Sequence, residues 1–238
     1  MYFILLNAIL KYADDTILLV PQNYPVSLEE EFAHITDWSF NNKLTVNTSK
    51  TKEIVFRRSR FPNKLLPPLL PDIQRVDSIK LFGVYLSRTL SPEQHINHLL
   101  SSVTKDYLLS LLKSQNLSAQ CLDIIFQALI LSKITYALPA FAGLISVTFK
   151  SKINKFFHKA NHRGLVTTLF DIQDLIDKHD THLFPSIAYT DHCLHYLLPE
   201  KLNRSMNLRH RGHEYTLSHI RTTQLKNTFI NRCLLSMV

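Results

Sequence analysis

The feature that most constrains the fold of this chain is a pair of adjacent carboxylates, Asp14 and Asp15, placed between two apolar runs. Residues 2–10 and 16–20 are together rich in isoleucine, leucine, tyrosine and phenylalanine, and the polar break between them is short. This pattern predicts a β-hairpin with the aspartates at its tip, where aspartate tolerates turn conformations that β-branched residues avoid. Because neighbouring strand residues point to opposite faces, we expect one carboxylate to face a site and the other to support it.

The aspartate pair has two interpretations. A carboxylate fixed at a rigid hairpin tip suits Mg²⁺, which prefers oxygen ligands in near-octahedral geometry. An Asp-Asp turn that simply faces solvent has the same local sequence. The rest of the chain carries 27 lysines and arginines against 19 acids, a net charge of +8, which favours a polyanionic partner such as nucleic acid. Only 4 glycines are present, and no glycine-rich phosphate loop occurs.

The cysteines and the most apolar stretches limit the class of protein further. Cys121, Cys193 and Cys233 are scattered, which predicts no disulfide framework and a reducing compartment. Residues 1–10 lack the basic region and the cleavage site of a signal peptide. Residues 119–138 are apolar but interrupted by polar side chains, so we expect a buried helix and no membrane span.

The segment Tyr12-Ala-Asp-Asp15, followed by Thr-Ile-Leu-Leu, resembles the YADD box of reverse transcriptases from LINE-type (non-LTR) retrotransposons of the Jockey group. In that family the box is the palm hairpin that carries catalytic metal ligands. The resemblance implies an α+β fold, an incomplete reverse-transcriptase palm followed by a mainly α-helical thumb and C-terminal region. It also implies an RNA-directed DNA polymerase that uses Mg²⁺, an RNA template and a DNA primer or target. Asp14 and Asp15 would be catalytic metal ligands, and Tyr12 would contact nucleic acid.

The next segment continues this resemblance. Residues 27–30 have the Ser-x-x-Glu spacing of a capping box and predict an amphipathic helix to about Asn42, with Phe32, Ile35 and Trp38 on its packed face. Residues 50–56 predict a strand, and the order hairpin, helix, strand resembles the second half of a polymerase palm. Residues 38–56 resemble motif D, which implies that Lys50 lies near the triphosphate as a catalytic residue and that Lys52 contacts nucleic acid. The alternative for both lysines is a solvated turn.

A proline-rich segment and a second hairpin come next. Residues 57–72 contain four prolines and predict an irregular loop. Residues 79–95 resemble motif E, the primer-grip hairpin, with Phe82-Gly83-Val84 where the family usually has Leu-Gly-Val. The resemblance implies that Phe82 and Gly83 contact nucleic acid. Gly83 within a strand pattern also suggests a bulge, and the alternative is an ordinary edge strand.

From Pro92 the apolar period becomes helical. One face is predicted to hold Ile96, Leu99, Leu100, Val103, Tyr107, Leu108 and Leu111. Ser118 is predicted to cap a second helix, nearly apolar all round and central, that ends at Pro139. These positions resemble the thumb helices of the family, which track the template–primer duplex.

The clearest binding surface is the helix predicted over residues 149–163. Four basic residues at steps of three and four share one face: Lys152, Lys155, Lys159 and Arg163. Another face is predicted to hold Phe149, Ile153, Phe156, Phe157 and Ala160. No acid occurs between Phe149 and Phe170, and phosphates would neutralise the repulsion between stacked like charges. The alternatives are an exposed amphipathic helix that tolerates its charge and a membrane-surface helix.

The C-terminal region is basic. The pairs His179/His182 and His192/His195 have i, i+3 spacing, but no cysteine or acid completes a zinc ligand set, so we expect surface or helix-end histidines. From Lys201 onward the tail carries seven lysines and arginines against one acid. It is predicted to be poorly packed and to face nucleic acid, and the alternative is a disordered tail without a role.

These patterns divide the chain into a partial palm (1–90), a helical thumb-like region (91–170) and a basic helical or irregular C-terminal region (171–238). In the family a further essential aspartate and a Pro-Gln-Gly-Ser loop precede the YADD box, and the residues before Tyr12 hold neither. We therefore expect the chain alone to be catalytically inactive. Two alternatives remain open, a non-enzymatic nucleic-acid-binding helical module and an element remnant with no selected role. The sequence does not fix template preference, target site or oligomeric state.

Overall fold

The computed structural model describes residues 7–22, 24–57, 66–103, 107–202, 213–217, 219–220 and 222–237. The chain is an α+β protein in which helices predominate, and the strands of the described residues form three two-stranded sheets. It divides into two compact units, Met1–Ile79 (unit 1) and Lys80–Val238 (unit 2). Each unit is described by itself.

Unit 1 begins with the predicted hairpin. Strands β1 (Ala8–Tyr12) and β2 (Asp15–Leu19) pair antiparallel, with Tyr12 opposite Asp15 at the turn end. Ala13 in the two-residue turn has φ 50°, in the left-handed region that glycine adopts more easily than alanine. The hairpin prediction is confirmed, and its tip is a tight turn.

Helix α1 (Leu28–Asn41) follows and starts with the predicted capping box. The Ser27 hydroxyl accepts a hydrogen bond from the Glu30 amide (3.1 Å), and the Glu30 carboxylate accepts one from the Ser27 amide (2.8 Å). The bond from the Ser27 backbone lowers the pKa of Glu30, because it favours the charged carboxylate. The predicted packed face is wrong at Trp38, which is 54% exposed, whereas its neighbour Ser39 is buried.

A short parallel sheet closes unit 1. Strand β3 (Lys52–Glu53) pairs with β4 (Gln74–Arg75), so the predicted strand over 50–56 shortens to two residues. Arg75 donates to the Glu53 carboxylate (2.7 Å) and to the carbonyls of two prolines in the predicted loop, Pro67 and Pro68. Residues 66–70 of that loop lack helix and strand, and residues 58–65 lie outside the described residues.

A second hairpin, β5 (Ser78–Leu81) and β6 (Val84–Ser87), includes the boundary between the units. The helices of unit 2 follow it in chain order: α2 (Glu93–Val103), α3 (Tyr107–Ser114), α4 (Ala119–Phe126), α5 (Ser132–Thr135), α6 (Leu138–Phe141), α7 (Val147–His162), α8 (Ile172–Ile187), α9 (Thr223–Lys226) and α10 (Phe229–Ser236). A π-helical segment (Gln127–Leu131) joins α4 to α5. Short 3₁₀ turns occur at Ala142–Leu144 and His195–Leu197.

One apolar core fills the middle of unit 2, and the run from α4 to α6 supplies much of it. Leu122, Phe126, Ile130, Ile134 and Leu138, each four residues after the last, are buried there. The prediction of a buried helix that ends at Pro139 needs correction, because Ile124 and Leu129 are exposed and Pro139 lies in the first turn of α6. The same stretch, 119–144, is the one among the described residues that is long and apolar enough to cross a membrane by length and composition.

The face predicted from residue 96 to residue 111 is correct only in its first half. Ile96 and Val103 of α2 are buried, but α3 buries Leu109 and leaves three predicted residues exposed. Those residues are Tyr107, Leu108 and Leu111. The described residues of α2 and α3 therefore do not share one continuous packed face.

The C-terminal segment is better packed than predicted. Cys233 and Leu234 of α10 are buried in a second apolar cluster with Phe184 of α8. Arg232 forms a two-pronged ion pair with Asp180 (2.6 Å for both nitrogens) and donates to the Pro139 carbonyl (2.9 Å). The prediction of a poorly packed tail is therefore wrong for α10, and residues 203–212 lie outside the described residues.

Candidate nucleic-acid interface

The carboxylates of the YADD segment stand at the tip of the β1–β2 hairpin. Asp14 occupies the turn, and Asp15 is the first residue of β2. Both side chains are exposed, as is Tyr12, so their exposure does not separate a site-facing carboxylate from a supporting one. Within the described part of the chain, neither aspartate forms an ion pair. The hairpin thus presents two accessible negative charges side by side.

These carboxylates do not complete a metal site by themselves. No group of three histidine, cysteine, aspartate or glutamate side chains is placed to hold a metal ion among the residues that the structure describes. Mg²⁺ prefers six oxygen ligands and keeps several waters, but two-metal chemistry needs carboxylates around both ions. Among the described residues, Asp14 and Asp15 thus have no third side chain of these types placed with them to hold a metal ion.

One of the two histidine pairs makes hydrogen bonds with nearby backbone groups. The Nδ1 atom of His192 accepts a hydrogen bond from the Leu194 amide (3.1 Å). The Nδ1 atom of His195 lies 2.9 Å from the Ile187 carbonyl, so this ring helps to fix the chain after α8. His179 and His182 lie on α8 itself. In the described chain, these four histidines belong to no candidate metal cluster.

The two lysines of the motif D segment have different surroundings. Lys50 lies in a turn organised by Asn47, whose side-chain oxygen accepts from the Lys50 amide (3.2 Å), and its own side chain is exposed. The Lys52 ammonium donates to the Gln74 side chain (2.6 Å) and to the Ser49 carbonyl (3.3 Å). Lys52 thus supports the β3–β4 pair. The Lys50 ammonium makes no hydrogen bond within the described residues, so it can contact a ligand without losing one.

Phe82 and Gly83 form the two-residue turn of the β5–β6 hairpin. Both have positive φ, 45° and 83°, which matches the twist of a tight hairpin. The predicted bulge is in fact this turn. Tyr136, which sequence reasoning missed, donates its hydroxyl to the Phe82 carbonyl (2.8 Å). Its ring also lies where a Cβ at Gly83 would come within 3.1 Å, so Tyr136 fixes the tip that presents Phe82.

Helix α7 confirms the predicted amphipathic helix. Ser146 caps its first turn by accepting a hydrogen bond from the Phe149 amide (3.4 Å). Four of its residues are buried in the core of unit 2: Ile153, Phe156, Phe157 and Ala160. Phe156 and Phe157 contact each other and Phe126 and Phe170 around them, with ring centroids about 6 Å apart. The packed side therefore holds the other side of the helix in a fixed orientation.

A neighbouring face of α7 is the basic face, defined here as Lys152, Lys155, Lys159 and Arg163. All four side chains are exposed, and the three lysines form no ion pair with any described residue. The Lys152 ammonium lies 4.8 Å from the centroid of the Phe149 ring, which steadies it by a cation–π contact.

No acid occurs from Ile124 to Phe170, and the two acids that flank this stretch are occupied. The Asp123 carboxylate accepts hydrogen bonds from the amide and hydroxyl of Thr167. The Asp171 carboxylate caps α8 by accepting from the Gln173 amide (2.6 Å) and also accepts from Asn154 (2.5 Å). Neither carboxylate is placed in an ion pair with Lys152, Lys155 or Lys159, so within the described chain the charge of these three lysines is available to an external anion.

Sequence reasoning also missed contributors to this surface. Lys113 of α3 donates to the Arg163 carbonyl and so adds a cation at the C-terminal end of α7. His158 and His162 are exposed on the same helix, three residues after Lys155 and Lys159. The histidines could have been found from the i, i+3 spacing. The lysine could not, because it lies fifty positions away in the chain.

The expected site residues are divided between the two units. Unit 1 holds Tyr12, Asp14, Asp15, Lys50 and Lys52, and unit 2 holds Phe82, Gly83 and the basic face. The structure brings the four cations together on one helix face and fixes the Phe82–Gly83 tip with Tyr136. No family model, curated protein or solved structure matches this chain. Its function therefore has to be argued from these residues and their geometry.

Proposed function

We propose that this chain is part of a LINE-type reverse transcriptase and that unit 2 binds nucleic acid through the basic face of α7. The observation that carries the proposal is the exposure of four cations on one face within a stretch that lacks any acid from Ile124 to Phe170. The expected partners are an RNA template and a DNA primer or target. The positively charged helix corresponds in this proposal to part of the thumb.

Electrostatics supports a polyanion as the ligand of the basic face. From Lys152 to Arg163 the cations span about 16 Å of helix, at a rise of about 1.5 Å per residue. Like charges four residues apart destabilise a helix by about 0.2–0.5 kcal/mol per pair, and no described carboxylate forms an ion pair with Lys152, Lys155 or Lys159 to offset this cost. A row of phosphates would neutralise the charge and release counterions.

A membrane surface fits α7 less well than a nucleic acid does. Helices that lie on membranes insert an apolar face into the lipid headgroup region. The apolar face of α7 is already buried against the core of unit 2, with Phe157 and Ile153 only 1% and 3% exposed. Only the charged side is available, which suits a backbone of phosphates better than an acyl layer.

The order of elements supports the polymerase part of the proposal. The YADD hairpin precedes a capped helix, a short strand, a second hairpin and a helical unit, as the resemblance implies for palm and thumb. In a complete enzyme Asp14 and Asp15 would supply carboxylates to Mg²⁺, together with ligands beyond those described. Lys50 would lie near the triphosphate, and Phe82 and Gly83 near the primer.

The main experiment compares two triple variants with the same change in charge. Lys152, Lys155 and Lys159 are replaced by glutamine in the first, and three exposed lysines elsewhere in unit 2 in the control. The control positions are Lys80, Lys133 and Lys178. Binding to a short RNA–DNA hybrid is measured by fluorescence anisotropy at several salt concentrations. We plot the logarithm of the binding constant against the logarithm of the salt concentration. The slope should become shallower by about 2.7 in the first variant, since each phosphate contact contributes about 0.9.

The control variant should keep most of the salt slope of the original protein, since its lysines lie outside the basic face. Equal loss of slope in the two variants would mean that binding follows net charge alone. An unchanged slope in the α7 variant would remove this helix as the binding surface.

Catalysis is tested separately. We expect the purified chain to incorporate no nucleotide on a primed RNA template in the presence of Mg²⁺, because its described residues lack a full set of carboxylates for two metal ions. Incorporation that disappears in Asp14→Ala would overturn this expectation and make the hairpin a working metal site.

A further inference from the structure

The last turns of α7 carry two histidines, His158 and His162, four positions apart. Both side chains are exposed, and within the described chain neither imidazole takes part in a hydrogen bond, an ion pair or a ring contact. Side chains four residues apart on a helix lie on the same face, with their Cβ atoms about 5–6 Å apart. Two imidazole rings are therefore presented side by side to one ligand.

The helical turn that carries this pair is fixed by contacts on its buried side. Phe157 and Ala160 are buried in the core of unit 2. Between the two histidines, the Asn161 side chain donates to the carbonyls of Val166 and Thr167 (3.1 and 3.0 Å). Helix ends commonly fray, but these contacts hold the backbone at the end of α7. The rings therefore need little ordering before they bind, which lowers the entropic cost of binding.

The two ring systems select for a class of metal ion. Imidazole nitrogens suit Zn²⁺, Cu²⁺ and Ni²⁺, whereas Mg²⁺ prefers oxygen ligands. Helices that bind zinc through two histidines use this same spacing of four residues. In that motif a glutamate follows the first histidine as a general base, and Lys159 occupies that position here. The spacing thus supports metal binding alone.

We propose that His158 and His162 form a binding site for one divalent transition-metal ion of the zinc and copper class. One nitrogen of each ring binds the ion, and water fills the remaining positions, since zinc is normally four-coordinate. The site differs from the Mg²⁺ site expected at Asp14 and Asp15 in its place in the chain, its ligand type and its metal. It does not depend on nucleic-acid binding by the basic face.

Electrostatics predicts how this site responds to salt. The C-terminal end of a helix carries a partial negative charge, which favours a cation beside the last turn. Lys155 and Lys159 each precede one of the histidines by three residues, and the chain has a net charge of +8, so a divalent ion is repelled. Salt screens repulsion between exposed charges. We therefore expect metal binding to strengthen as salt rises, the opposite of the salt dependence of nucleic-acid binding.

The test titrates Zn²⁺ into the full chain by isothermal titration calorimetry, after alkylation of the exposed thiols of Cys121 and Cys193. His158→Asn with His162→Asn removes the pair. The matched control, Ser151→His with His158→Ser, exchanges two exposed residues of α7 and keeps the composition of the chain. It separates the two rings by about 16 Å along the helix, at about 1.5 Å per residue, so they cannot share an ion.

Both variants should bind Zn²⁺ at least tenfold more weakly than the original protein. Loss of a group that only orients a metal ligand already costs about 10–100-fold in affinity, and here a ligand itself is lost or moved away. Unchanged affinity in either variant would overturn the proposal, because other groups would then hold the ion. Circular dichroism melting of each variant shows whether a loss of binding reflects a loss of folding.

A second measurement locates the ion. Diethylpyrocarbonate modification of the histidines is read by mass spectrometry with and without one equivalent of Zn²⁺. We expect the metal to protect His158 and His162 together, and equal amounts of Mg²⁺ to protect neither. Protection confined to other histidines, or Zn²⁺ binding that weakens as salt rises, would contradict a site made by this pair.

Discussion

The two units differ most in how many side chains they bury. Among its described residues, unit 1 buries only Ser39, Glu53, Leu70 and Ile73. It leaves large apolar side chains exposed, including Ile9, Leu10, Tyr12, Trp38 and Phe40. Unit 2 has a continuous apolar core from Val84 to Ile176 and a second cluster around Leu234. The carboxylate pair thus lies on the sparsely packed unit, and the basic face lies on the well-packed one.

This difference indicates which function each unit can perform by itself. A helix that is held by a buried face has an ordered backbone before its ligand arrives. A binding face on such a helix therefore has a lower entropic cost of binding. Metal-dependent catalysis needs carboxylates held in a defined geometry by their surroundings. The β1–β2 hairpin is fixed by its own strand pairing, and both its aspartates are exposed. We therefore expect the contrast between the units to appear in stability as well as in binding.

The largest effect should come from one core residue of unit 2. Phe157→Ala should lower the free energy of unfolding by about 3–5 kcal/mol, because it opens a cavity among packed aromatic rings. Trp38→Ala in unit 1 removes a side chain that is 54% exposed and should change stability by about 1 kcal/mol or less. Urea denaturation followed by circular dichroism measures both, and equal losses in the two variants would contradict the contrast in packing.

A smaller effect concerns pH. Burial lowers the pKa of His95, with a lesser contribution from the nearby charge of His98. The ring is 2% exposed, lies edge-on to Phe141 and accepts weakly from the Tyr85 amide (3.5 Å). The unfolded chain protonates this histidine near pH 6.5, whereas the folded chain keeps it neutral to lower pH. The unfolded state therefore binds more protons below about pH 6.5, and the stability of unit 2 should fall as the pH falls through that range.

His95→Asn should flatten this pH dependence, measured as the urea midpoint at several pH values between neutral and mildly acidic. His34→Asn is the control from unit 1, because the His34 side chain is 70% exposed. That variant should leave the pH dependence as it is. A steeper or unchanged acid dependence in His95→Asn would show that another group controls it.

Residue spacing over a few positions predicted several helices and hairpins of this chain. Contacts between residues far apart in the sequence determine how those helices and hairpins pack. The Ser27 capping box, the YADD hairpin and the amphipathic α7 follow from spacing over a few residues. The pairing of Lys52 with Gln74 and of Tyr136 with the Phe82 carbonyl joins residues 22 and 54 positions apart. The periodicity of a sequence gives no information on contacts between residues so far apart. The packing of α10 was not predicted for the same reason, because it depends on contacts with distant residues of α8.

The candidate site shows the same division. Sequence spacing places Lys152, Lys155 and Lys159 on one helix face, and the structure agrees. Spacing does not reveal that Lys113 joins them through the Arg163 carbonyl, because α3 lies elsewhere in the chain. Nor does it reveal that the two neighbouring acids are already occupied by Thr167, Gln173 and Asn154.

The most direct test of the central claim is a lysine footprint of the full chain. Acetylation of each lysine is measured by mass spectrometry with and without a short RNA–DNA hybrid, at low salt and at high salt. We expect the hybrid to protect Lys152, Lys155 and Lys159 at low salt, to lose that protection at high salt, and to leave Lys133 and Lys178 equally reactive throughout. Uniform reactivity of all five lysines, or protection that spares α7, would contradict nucleic-acid binding by the basic face.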